Sequence, residues 1–67
     1  MMVVSQNRCI AFPYHSSSWC VSIYQIFGKC EGDTMWNLFA EYGSCEDAKK
    51  AFDEFIGLNE KPDTYFF

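Results

Sequence analysis

The residues of this chain best suited to chemistry are one histidine, four cysteines and nine acids. His15 with Cys9, Cys20 and Cys30 makes a three-cysteine, one-histidine set of the kind that binds zinc. It lacks the close Cys-x-x-Cys pair that anchors such sites, so thiols packed as small hydrophobes are the favoured reading. His15 beside Cys20 or Ser16 makes a base and a nucleophile, but no orienting group or oxyanion hole stands at a readable spacing. The stretch Gly28-Lys-Cys-Glu-Gly32 carries one lysine and is not followed by a helix, so it does not read as a phosphate cradle. A short chain also leaves little room for a closed substrate cavity. Neither catalysis nor a metal or cofactor is expected.

The acids are the more distinctive feature. Residues 1–30 hold Arg8 and Lys29 and no acid, whereas residues 31–67 hold nine acids and three lysines, so +2 and −6 give the net charge of −4. Glu46, Asp47, Asp53 and Glu54 fall on one predicted helix, with Glu31 and Asp33 in a turn and Glu60 and Asp63 in the tail. Read plainly, they are a solvated face, partly neutralised by Glu46–Lys50 and Lys49–Asp53 at i,i+4 spacing. The sharper reading makes Glu31, Asp33, Glu46, Asp47, Asp53 and Glu54 a negative surface that meets a basic protein. A pI near 4.6 argues against direct binding of nucleic acid or of an anionic membrane.

No segment has the length of a membrane span, and Met-Met-Val-Val-Ser-Gln-Asn-Arg lacks the basic end and apolar core of a signal peptide, which predicts a cytoplasmic protein. In a secreted chain the four cysteines would allow two disulfides in three connectivities. Without an export signal, free thiols are expected.

These residues must be positioned by very few elements. Ser44 N-caps a helix, with Asp47 at the capping-box position and Glu46 and Asp47 on the positive end of the dipole. Cys45, Ala48, Phe52, Phe55 and Ile56 form its apolar stripe, with Phe52 at the centre, and Gly57 is a left-handed stop. Arg8–Phe12 reads as a strand ended by Pro13, and Pro13–Ser18 as a surface loop. Trp19–Phe27 and Thr34–Tyr42 read as strands joined by a turn over Gly28–Asp33. Placing Phe27 opposite Thr34 puts Ile23 opposite Leu38, Val21 opposite Ala40, Gln25 opposite Trp36 and Trp19 opposite Tyr42, nearly all apolar and on one inner face. The outer face then carries Tyr24, Ile26, Met35 and Phe39, with the terminal rings Tyr65-Phe66-Phe67 docked on the sheet or on a partner.

The expectation is a single α+β domain over residues 1–67: three antiparallel strands and then one C-terminal helix packed on one face (β-β-β-α). A hairpin feeding a helix that opens Ser44-Cys-Glu-Asp-Ala48-Lys-Lys-Ala51 resembles the layout of very small acidic phage-encoded proteins, among them anti-CRISPR and anti-restriction inhibitors. The resemblance lies in size, charge and layout. It implies a non-enzymatic inhibitor that blocks a basic nucleic-acid-handling host protein through its acidic surface. The other reading is an accessory protein acting as a homodimer or complex subunit through Tyr24, Ile26, Met35, Phe39 and the tail.

Overall fold

The computed structural model describes residues 1–67. In chain order it forms β1 (Met2–Val4), β2 (Ala11–Pro13), β3 (Ser17–Ser22), β4 (Gln25–Cys30), β5 (Asn37–Glu41), α1 (Cys45–Ile56) and β6 (Thr64–Phe66). The α+β class holds. The expected three strands become six, in two three-stranded sheets, and the helix is followed by a strand instead of closing the chain.

The second sheet, ordered β3-β4-β5, is an antiparallel meander. The apolar run from Trp19 to Phe27 is not one strand: it reverses at Ile23–Tyr24 and pairs with itself, Val21 opposite Ile26 and Trp19 opposite Gly28. The turn expected over Gly28–Asp33 therefore begins later, because Gly28 lies inside β4. A Cβ there would come within 2.4 Å of the Trp19 ring, so glycine lets the indole lie across the strand. The register changes accordingly, with Phe27 opposite Leu38 and Ile26 opposite Ala40. Phe39 is the extra residue of a bulge between those two pairs, and the bulge turns both Phe39 and Ala40 inward. The expected inner face is thereby split: Trp19, Val21 and Ala40 stay inward, Phe27 and Leu38 turn outward, and Ile26 and Phe39, expected outside, become core residues exposed by 0% and 1%.

The first sheet, ordered β2-β1-β6, joins segments far apart in sequence. Val3 sits at its centre, opposite Phe12 in antiparallel β2 and Tyr65 in parallel β6, so the terminal rings do dock on a sheet. Pro13 lies within β2 rather than after it. Tyr14 N–H donates to Met1 O at 2.9 Å, which puts Pro13 on a non-bonded rung with its nitrogen turned outward. Polar groups tie the two sheets together: Gln6 N–H donates to Phe39 O at 2.7 Å, and Gln6 Oε1 accepts from Glu41 N–H at 3.0 Å. Arg8 donates to Phe67 O at 3.0 Å and lies 4.7 Å from the Phe66 ring, pinning β6.

Ser44 caps α1 as predicted, its Oγ accepting from Asp47 N–H at 3.1 Å. Gly57 does not stop the helix in the left-handed region: its φ is −84°, and its N–H donates to Asp53 O at 2.9 Å. The stripe is narrower than expected. Ala48 and Phe55 are buried and Phe52 half-buried, while Cys45 and Ile56 face solvent. Phe55, not Phe52, is its centre, with Tyr14, Trp19, Tyr65 and Phe67 ring centroids between 4.8 and 5.3 Å away. Phe39 extends this cluster through Trp19 at 4.9 Å and Phe12 at 5.1 Å. The accessible surface is 4369 Å², close to the ~4,400 Å² that size scaling gives a folded monomer of this mass. No helix is long and apolar enough to cross a membrane.

Candidate protein-binding surface

Strand alternation gives the β3-β4-β5 sheet two unlike faces. The inner one, with Trp19, Val21, Ile26, Gly28 and Ala40, is covered by α1 and β2. The outer one carries Cys20, Ser22, Phe27 and Leu38, with Trp36 just before β5, and no other element of the chain lies over it. Trp36 and Leu38 are each 44% exposed and Met35 73%. Cys20, Ser22, Phe27 and Trp36 line a shallow groove of about 300 Å³. Lys29 holds its ammonium 5.0 Å from the Trp36 ring, a cation–π contact that fixes the indole without covering it. At the other end, Gln25 Nε2 donates to Glu41 Oε2 at 2.8 Å. Contiguous apolar surface of this kind, rimmed by polar groups, is what protein contacts use.

The Ile23–Tyr24 turn closes one end of this sheet. Ile23 has φ 56°, a conformation that costs a β-branched residue energy, and it is 70% exposed. Tyr24 O accepts from Tyr42 N–H at 2.9 Å, which anchors the turn to the chain leaving β5. An exposed isoleucine held in a strained backbone is a feature that folding alone does not require.

Of the apolar residues predicted for the outer face, Tyr24 and Met35 are exposed, whereas Ile26 and Phe39 belong to the core and cannot meet a partner. The acids Glu31, Asp33, Glu46, Asp47, Asp53 and Glu54 are all exposed, but they do not form one patch. Glu31 and Asp33 sit in the β4–β5 loop. Glu46 and Asp47 open α1 at the opposite end of the sheet, roughly 20 Å away along β4. On the helix itself Lys50 projects between Glu46 and Asp53. The expected Glu46–Lys50 and Lys49–Asp53 pairs form no hydrogen bond; the only side-chain bond of this segment is the Ser44 cap.

The chemistry-bearing residues are scattered as well. His15, Cys9, Cys20 and Cys30 do not gather into a cluster that could hold a metal. The four cysteines are unpaired. Burial pushes the Cys20 thiol up, which keeps it protonated and unreactive near neutral pH. His15 shares a polar surface depression with Ser16, Ser17, Ser18 and Glu31, open to solvent on one side. Burial also raises Tyr65, with the Glu54 charge adding to it, and Tyr42 beside them is raised by burial, by Tyr65 and by Glu54.

Sequence reasoning missed Trp36, Leu38 and Phe27 as surface residues. It placed them on one face with Trp19, Val21 and Ala40, which do turn to the core, because the chain reverses at Ile23–Tyr24 and bulges at Phe39. The adjacent apolar pair Phe39-Ala40 is the trace of the bulge that decides the matter. No family model, curated protein or solved structure matches this chain.

Proposed function

We propose that this protein is a protein-binding module with no reaction of its own, and that the outer face of the β3-β4-β5 sheet is its contact surface. One observation carries this reading: Trp36 and Leu38, each 44% exposed, lie on a sheet face that no element of the chain covers. A large exposed ring on an open patch is the residue type that dominates binding energy when a partner excludes water from it. The fitting partner is a protein segment with a few aliphatic or aromatic side chains for the groove and an acid placed to meet Lys29. A photo-crosslinking side chain at Met35, followed by mass spectrometry, identifies what binds there. That partner is then titrated with wild type and with the Trp36→Ser/Leu38→Ser variant. Loss of binding in the variant supports the reading, and equal affinity overturns it.

The exposure of Glu46, Asp47, Asp53 and Glu54 supports a second reading: an inhibitor, of the phage-encoded anti-CRISPR kind, that presents an acidic surface to a basic nucleic-acid-handling host protein. Reversing all four to lysine would then abolish binding, and wild-type affinity would fall steeply with salt. Normal binding by the charge-reversed protein removes this reading and leaves the first.

A further inference from the structure

Four strand edges border the two sheets, and three of them are blunted. β2 is three residues long and carries Pro13; β6 is also three residues long. The edge of β5 is capped by Gln6, through Phe39 O and Glu41 N–H. β3 is different. It runs for six residues, Ser-Ser-Trp-Cys-Val-Ser, with no charge, no proline and no segment bonded along its outer side. Glu31 N–H donates to Ser16 O at 2.8 Å, which sets the even-numbered residues of β3 as those bonded to β4. Ser17, Trp19 and Val21 therefore turn their N–H and C=O groups outward, and none of these groups has a partner within the chain. Ser17 Oγ, on the same edge, is the one buried side-chain oxygen without a hydrogen bond.

We infer that β3 is the seam of a homodimer, pairing antiparallel with β3 of a second copy so that the two three-stranded sheets become one continuous sheet. A two-fold axis at Trp19 sets Trp19 opposite Trp19 of the partner subunit and Ser17 opposite Val21 of the partner subunit. The outward groups then form about six inter-chain hydrogen bonds. The charge distribution selects a second copy as the occupant. All nine acids lie after residue 30, so a second copy meets β3 through the acid-free segment of a chain whose net charge is −4. This surface is distinct from the outer face, and in the dimer that face is presented twice.

Sedimentation equilibrium over a dilution series, with amide exchange at both ends of it, tests the seam. At high concentration the mass should be twice 7.8 kDa, with the amides of Ser17, Trp19 and Val21 protected. On dilution the mass should halve, with those three amides losing protection while Cys20 and Ser22 keep theirs. Val21→Pro removes one outward N–H and sets a ring on the edge while leaving the β3–β4 bonds in place, so the dissociation constant should rise by about tenfold or more, with an unchanged circular dichroism spectrum. A mass of one chain at every concentration overturns the inference. So does a dimer in which the three amides exchange freely, or one that Val21→Pro leaves intact.

Discussion

The two faces of the β3-β4-β5 sheet are built from similar residues and have opposite fates. Inward, Trp19 lies across Gly28 against Phe39, and Phe55 of the helix fits between Trp19, Tyr14, Tyr65 and Phe67. Outward, Trp36 and Leu38 stand in water with a single lysine over the indole. Residue type therefore does not separate core from contact surface in this molecule. A glycine and a bulge do: Gly28 makes room for one tryptophan, and the extra residue at Phe39 sends the next ring inward as well.

Removing the central ring breaks the contrast most severely. Phe55→Ala should lower unfolding free energy by about 3–5 kcal/mol, most of what a domain this small possesses, as read by chemical denaturation. Half-buried Phe52→Ala should cost clearly less. A larger loss for Phe52 would put the core where the sequence pattern first suggested. Gly28→Ala comes next. Its methyl meets the Trp19 ring, so a loss of about 1–3 kcal/mol should accompany a shift in tryptophan fluorescence.

The strained turn gives an effect of the other sign. Ile23→Gly should raise stability by up to about 1 kcal/mol, because glycine adopts positive φ without penalty. A fall instead would mean that the isoleucine side chain matters more than its backbone. Alkaline pH should weaken the fold gently. Burial, with Glu54 adding to it, holds the Tyr65 phenol above its ordinary value of 10.0, and Tyr42 is raised by burial, Tyr65 and Glu54. The folded chain thus keeps protons that the unfolded chain gives up. This stability is complete below about pH 10 and is lost as pH rises past it. Thermal melts of Tyr65→Phe should be flatter across that window than those of wild type. The smallest effect belongs to the outer face: Trp36→Ser/Leu38→Ser should move stability by no more than about 0.5 kcal/mol. A larger change would show that the face is held by the fold and not kept for a partner.

Legibility in the sequence followed the range of the interactions. The helix from Cys45, its Ser44 cap and its acidic first turn depend on neighbours three or four residues away, and all were readable. The parity that groups Phe27, Leu38 and Trp36 was readable too, because strand alternation is local. The change of face within each expected strand, with Trp19, Val21 and Ala40 inward but Phe27 and Leu38 outward, was not. It depended on Gly28 serving as a gap for Trp19 when glycine there also suits a turn, and on a turn made at Ile23–Tyr24 without the usual turn residues. The β2-β1-β6 sheet was least readable: its strands have three residues each, and the β1–β6 pair joins Met2 to Thr64. For the candidate surface, the exposure of Tyr24 and Met35 was legible, and the burial of Ile26 and Phe39 was decided by the bulge.

That β1–β6 pair also sets a timetable. β3, β4, β5 and α1 are consecutive in the chain and can find one another as soon as each is made. Val4, by contrast, must wait for Phe66. At roughly 5–20 residues per second on a ribosome, the interval is about 3–12 s. For that time Val3 has no Tyr65 beside it, and Phe55 is missing two of its rings. The slow step of folding should therefore be the closing of this longest loop, with a nearly finished meander already in place.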